Sequence, residues 1–475
     1  MHLSLYGSGH RCEILLDIIK ETDILIDKII DSNPVKWGSI INGYTVESPE
    51  SLRDCGDSFI CVTFFGENDY EPIWDELEND YGIKRERILP FNDVIKRIYL
   101  KQIDIPMFSV KKGMGRKTIF AGAWNFEIGG VETWIGETVA RLALCDKEVY
   151  VLSKHDQIEL PVNRKDCLIE YCIEDSCGFS KESAQKTVEK LIGLCPCTII
   201  CSRVDEVLLA AYLIKQKNPE SIRIIMAVHG ACDGMVRDIF SYDEAIEKYV
   251  CVSNATKNGL LRIGTKREKC EVINTPIKYC MESERTYSEE EDRPLCLGYV
   301  GRIEVFHKRA DLLIKLIQCL EKNKVNYSFE IAGEGGFLSA LSSFIEKNHL
   351  SGKVKYLGVL NREEVFEFWQ RKDVAINVSD SEGRPVSNIE AMLCGAVPVV
   401  TATPGILEDV ENGVTGFTVN IGDYEAMANV IVNLDENRKM LRMIGEKARE
   451  RMREKTDVEA YVGHWNEILR IGESE

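Results

Sequence analysis

At 475 residues the chain is longer than one hydrophobic core organises, so two or three domains are expected. Its 44% apolar and 29% charged residues are those of an ordinary globular protein. A formal net charge of −18 argues against general nucleic-acid binding, which needs a basic face, and against unaided adhesion to an anionic membrane.

The segment Met1 to Gly7 lacks a basic stretch followed by a long apolar run, so no secretory signal is expected, and no run reaches the length of a membrane span. The expected location is cytoplasmic, extending to peripheral contact with the inner face of the membrane. The 17 cysteines are scattered and read as free, buried thiols of a reducing compartment. Cys195, Cys197 and Cys201 lack a nearby fourth ligand, and the run they frame reads as a buried strand rather than a zinc site.

In chain order, three blocks alternate strand and helix patterns, which predicts parallel sheets covered by helices. The first spans 1–106: a strand from His2 to Tyr6, the turn Gly7-Ser8-Gly9-His10, an amphipathic stretch from Arg11 to Glu21, and a strand from Ile24 to Ile30. A strand from Phe59 to Phe65 and a helix from Tyr70 to Tyr81 come next. The turn lacks the third glycine of a dinucleotide fingerprint, although Asp27 and Asp31 lie near the position of a ribose-binding acid. The block reads as an accessory Rossmann-like domain for docking or oligomerisation, whose removal is expected to leave transfer measurable. Lys111, Lys112, Arg116 and Lys117 then read as a solvated linker.

The second block, 107–288, opens with a strand at Thr118 to Gly122. A Gly129-Gly130 turn starts a helix reaching Leu144. Further strands lie at Glu148 to Ser153, Cys197 to Cys201, Ile222 to Val228 and Lys248 to Val252. The charged, poorly patterned segment Glu282 to Arg293, with Ser288 to Asp292 at its centre, is the best linker candidate.

The third block, 289–458, has strands at Leu295 to Val300, Tyr327 to Ala332, Val354 to Leu357, Val374 to Val378 and Val397 to Val400. A final helical segment, 459–475, is expected to pack back on the second block. Ligands of doubly wound sheets lie beyond the carboxyl ends of strands, where Gly301, Arg302 and Lys308 fall. An Arg fork and a Lys point charge there suit a departing diphosphate. Gly333, Glu334 and Gly335 end the next strand. Glu382-Gly383-Arg384-Pro385-Val386-Ser387 then leads into a helix containing Glu390. That order sets backbone amides for phosphate between carboxylates for hydroxyls.

This ordered set, running on through Ala391-Met392, Gly395, Pro398 and Thr415-Gly416, resembles the donor-binding half of glycosyltransferase family 4. The resemblance implies an α/β GT-B architecture of two facing Rossmann-like domains. It also implies retaining, hexosyltransferase-type transfer from a UDP- or GDP-sugar to a glycan, glycolipid or protein acceptor, without a metal or other cofactor. By the same resemblance Arg302 and Lys308 bind the diphosphate, Glu382 contacts the sugar and Glu390 holds the ribose. Gly383 to Ser387 offer amides, and Gly129-Gly130 face the diphosphate and acceptor. His229, in Val228-His229-Gly230, falls where the family often places a histidine near the sugar. Arg384 departs from the family, which commonly has an aromatic residue there. It would either favour an unusual donor or point to solvent. The competing readings are a catalytically silent sugar-nucleotide scaffold and another GT-B enzyme, such as a phosphorylase or sugar-nucleotide epimerase.

Overall fold

A computed structural model describes residues 1–63, 70–110, 116–123, 129–143, 148–153, 168–170, 179–274, 277, 287 and 293–470. Lys111, Lys112 and most of the Glu282–Arg293 linker therefore lie outside the described residues.

Three sheets form, one per block. The first contains β1 (His2–Tyr6), β2 (Leu25–Ile30), β3 (Ile40–Ile41), β4 (Tyr44–Glu47), β5 (Phe59–Val62) and β6 (Ile88–Pro90), in the order β3-β4-β2-β1-β5-β6. The second contains β7 (Lys117–Ala123), β8 (Val149–Ser153), β9 (Leu168–Glu170), β10 (Cys197–Cys201), β11 (Ile222–Val228), β12 (Ile246–Cys251) and β13 (Cys270–Val272), in the order β13-β12-β11-β10-β7-β8-β9. The third contains β14 (Leu295–Val300), β15 (Tyr327–Ala332), β16 (Val354–Tyr356), β17 (Val374–Asn377), β18 (Val397–Thr401) and β19 (Phe417–Val419), in the order β16-β15-β14-β17-β18-β19.

Each sheet reverses direction of winding beside its first strand, and each therefore has a crevice at the carboxyl ends of two neighbouring strands. In the third sheet β14 pairs in parallel with both β15 and β17, so the crevice opens after Val300 and after Asn377. The strands are apolar because helices cover both faces. Leu297, Phe329, Ile331, Val374, Ile376 and Val399 are buried together with Leu313, Leu316 and Ile317 of the Asp311–Lys322 helix.

The described residues fall into two compact units. One is drawn from Met1–Asn125, Leu142–Val250 and Lys257–Glu271, and so contains the first sheet and most of the second. The other is drawn from Phe126–Arg141, Cys251–Thr256 and Val272–Glu475. Within the latter the last helix, Val458–Arg470, packs on the Gly130–Ala143 helix. Trp465 and Trp134 have ring centroids 5.9 Å apart, and the Tyr461 and Thr138 hydroxyls share a 2.6 Å hydrogen bond.

Arg116 and Lys117 are not linker residues. Arg116 Nη2 donates to the Glu220 carbonyl at 2.7 Å, and Lys117 starts β7. In the first block, the acid expected near a ribose is already engaged. Asp31 Oδ2 accepts from the Ser8 amide at 2.9 Å and its hydroxyl at 2.5 Å, and lies 3.0 Å from Lys36 Nζ. Burial pushes this carboxyl up, but those bonds outweigh it and hold its pKa below the ordinary value. The glycine turn thus binds a carboxylate of its own chain.

Candidate active site

The crevice of the third sheet brings Lys308 and Glu382 together. Lys308 Nζ lies 2.6 Å from Glu382 Oε1, and the Ser379 hydroxyl donates to the same oxygen at 2.7 Å. Lys308 sits on the loop after β14 and Glu382 on the loop after β17, so sheet order joins residues far apart in sequence. Lys308 is flanked by two residues in the left-handed region, His307 (φ 58°) and Arg309 (φ 48°). Non-glycine residues adopt this conformation at a cost, and such strain gathers at functional sites. The Asp380 amide donates to the His307 carbonyl at 2.9 Å, tying the two loops.

Two glycines permit close backbone approach here. A Cβ on Gly333 (φ 129°) would stand 1.9 Å from the Gly301 carbonyl oxygen, and one on Gly405 would stand 1.9 Å from that of Gly383. The Ser253 hydroxyl donates to the same Gly383 carbonyl at 2.8 Å. Glu334 is exposed, but its carbonyl accepts from the Ile303 amide at 2.6 Å. Pro385 stands at the N-cap of the Val386–Leu393 helix. The first helical bonds run from the Asn388 and Ile389 amides to Pro385, so the Val386 and Ser387 amides precede the ladder. A Cβ on Gly130 would lie 3.7 Å from the Val386 side chain, which puts the glycine turn beside this helix start.

Glu390 is buried inside that helix. Burial pushes its carboxyl up to about 8, and the Arg362 guanidinium only partly opposes the shift. Arg362 also pairs with Glu137, which in turn pairs with Arg141. Glu390 thus terminates a chain of charges that its local sequence does not announce. Below the ordinary value of 4.5 the carboxyl is protonated in both folded and unfolded chains. Between there and about 8 only the folded chain keeps the proton, so stability falls as pH rises. Glu390→Gln removes this loss. Its melting temperature, relative to the parent, is expected to gain several degrees between roughly pH 5 and pH 8. A constant difference across that range would refute the shift.

Arg384 requires a correction: it does not point to solvent. Its side chain is 1% exposed, with Nε 2.8 Å from Asp409 Oδ2 and Nη2 3.2 Å from Oδ1. Lys455 Nζ holds the same Oδ1 at 3.0 Å. The cation is therefore engaged inside the fold, locking the 382–387 loop to the helix that ends at Lys455. Arg384→Ala is expected to destabilise by about 3 kcal/mol, because a buried carboxylate loses its bidentate partner. Arg384→Met paired with Asp409→Leu should recover most of that loss in thermal melts.

Arg302 and His229 are held by other neighbours. The Arg302 side chain is 57% exposed and bonds Glu304 at 2.7 Å. His229 follows β11 in the other unit, where burial and then the nearby Arg203 charge lower its pKa to about 3, so the ring is neutral. Gly129 precedes the helix start at Gly130. Sequence reasoning missed Arg362, Glu137 and Asp409 as site supports. Each acts through a partner distant in sequence, and no local motif signals them. Among the described residues no group of three or more His, Cys, Asp or Glu is arranged to hold a metal ion.

The fold is that of the GT-B glycosyltransferases. The structure of Anabaena HepE with UDP and glucose superposes with a TM-score of 0.62 at 18% identity, over 75% of this chain and 99% of that one. Residues 281–451 match the family description "Glycosyl transferases group 1". The chain is 23% identical over 276 residues to N-acetyl-alpha-D-glucosaminyl L-malate synthase of Bacillus anthracis, covering 55% of this chain and 71% of the relative. It is 30% identical over 210 residues to a sulfoquinovosyl transferase of Arabidopsis thaliana, covering 43% of this chain and 39% of that relative's length.

Proposed function

We propose that the protein transfers a sugar, with retention at the anomeric carbon, from a UDP- or GDP-sugar to a glycan, glycolipid or protein acceptor. The observation that carries this reading is the Lys308–Glu382 pair beside the start of a helix containing Glu390, all at the carboxyl edge of the third sheet. The relatives' names and the UDP and glucose in the HepE structure support a nucleotide-sugar donor.

The barrier to transfer lies in separating an oxocarbenium-like sugar from a diphosphate. Lys308 and the Val386 and Ser387 amides are placed to meet the growing negative charge. Such preorganised groups accelerate because they act more strongly on the transition state than on the bound donor. Glu382, held by Lys308 and Ser379, positions the sugar and favours its positive character. Glu390 holds ribose hydroxyls. His229, being neutral, can donate or accept a hydrogen bond to the sugar. A diphosphate oxygen on the departing face takes the acceptor proton. This reading assigns charge neutralisation to protein groups and asks for no metal.

A thermal-shift panel of UDP- and GDP-sugars tests the reading, since a ligand that prefers the folded state raises the melting temperature. At ligand concentrations about 100-fold above Kd the expected stabilisation is about 2.7 kcal/mol. Transfer or slow donor hydrolysis should accompany it with the same sugar. Stabilisation without turnover would favour the scaffold reading, and no stabilisation by any nucleotide sugar would refute both.

A further inference from the structure

Among the contacts that build the first block into the second, the most concentrated fall on one short helix, Asp233–Phe240, which begins three residues after Gly230. Five residues of the first block converge on it. Arg11 grips Asp238 with both terminal nitrogens, at 3.2 and 2.7 Å, and its guanidinium lies 5.1 Å from the Phe91 ring centroid. Asn92 Nδ2 donates to the same carboxylate at 3.0 Å. The Tyr70 amide donates to Asp233 at 3.1 Å, and Glu71 pairs with Arg237, whose guanidinium also lies 4.5 Å from the Trp74 ring centroid. The Arg11 and Asp238 side chains are only 11% and 5% exposed. A surface contact would not be built this way. A buried, bidentate charge pair is costly to form and tolerates little displacement.

The same helix carries the His229 turn. A Cβ on Gly230 would lie 2.5 Å from Met235 Sδ, so the turn is seated directly on the helix. A Cβ on Gly259 would lie 3.3 Å from Val236 and 3.5 Å from the Ala231 carbonyl oxygen, closing the seat from the other side. A continuous packed path thus runs from Arg11 through Asp238 and Met235 to Gly230 and His229.

We propose that the first block is a positioning element of the transferase: it clamps the 233–240 helix and thereby sets the position of the His229–Gly230 turn. This rests on the reading of His229 as a sugar-side group. Arg11 and Glu71 act as positioning residues, not catalytic ones. A displaced catalytic group loses rate steeply even when it stays near its place.

The test uses the full-length protein carrying Arg11→Met, Arg11→Lys, Glu71→Gln or His229→Ala. It reads kcat and KM with a UDP-sugar, hydrogen exchange of residues 229–240, and the melting-temperature shift caused by UDP. Arg11→Met is expected to lower kcat about ten-fold or more and to raise exchange across 229–240. The UDP-induced shift and the donor KM should stay near the parent values, which general loss of stability would not allow. Arg11→Lys should recover part of the kcat. If Arg11→Met does not fold, Glu71→Gln, on the exposed rim of the same contact, should show the same changes in smaller degree. Parent kcat in His229→Ala would overturn the reading of His229 and the proposal with it. Impaired His229→Ala beside parent kcat or unchanged exchange in Arg11→Met and Glu71→Gln would overturn the proposal alone.

Discussion

Lys308→Ala is expected to lower turnover by about 100- to 1,000-fold, the loss that results from removal of one preorganised group from a developing anion. The cation is worth this much because it is already in place. Glu382 and the strained His307-Lys308-Arg309 turn hold it at the sheet edge before any charge develops. Glu382→Gln should cause a loss of the same order, since it replaces the ammonium's charged 2.6 Å partner with a neutral amide and weakens placement of the sugar. Neither change should unfold the protein. The Lys308 side chain is 21% exposed, and Ser379 still serves the Glu382 position. Steady-state kinetics on variants with parent-like circular dichroism decide the matter. Parent turnover in both would remove these residues from the reaction.

Deleting residues 1–106 is expected to destroy the folded state of the remaining chain, not merely to remove an accessory module. The alternation of the sequence and the basic stretch after residue 110 point the other way, toward a separable domain whose loss leaves transfer measurable. The structure reverses that expectation for a physical reason. Asp238 is buried, and burial raises its pKa while Arg11, Asn92 and Tyr70 oppose the rise. Without the first block this carboxylate loses all three partners. Arg237 loses Glu71, and the Ser241 and Phe179 carbonyls lose their bonds from Lys96 and Tyr99. The edge-on contact of Phe91 with Phe179, ring centroids 6.0 Å apart, is lost as well. Against a total stability of about 5–15 kcal/mol, the loss of this whole contact is expected to unfold the remainder. A truncated protein that stays soluble, melts cooperatively near the parent temperature and turns over donor would refute this.

Much of the fold was legible because periodicity is local. Apolar runs of strand length separated by amphipathic helices placed most strands within a residue or two, including Val149–Ser153 and Leu295–Val300. The strand-end rule then put Gly301, Lys308, Gly333 and Glu382 at one edge of the third sheet. The linkers were less legible, since Arg116 and Lys117 look solvated by composition and are claimed by a carbonyl and a strand.

Arg384 shows where local reading stops. Beside a glycine and a proline, in a loop between two glutamates, it reads as a cation facing a ligand or water. Asp409, 25 residues later, takes it into the interior instead. Lys308 and Glu382 are 74 residues apart, and Arg11 and Asp238 are 227 apart. Local order is enough to specify which segments become strands and helices and which residue types stand at strand ends, because those depend on neighbours one to four positions away. Which charges meet is a matter of tertiary folding alone, because pairing follows sheet order and burial. Folding placed Lys308 on Glu382, closed Arg384 on Asp409, and joined the first block to the helix beneath His229.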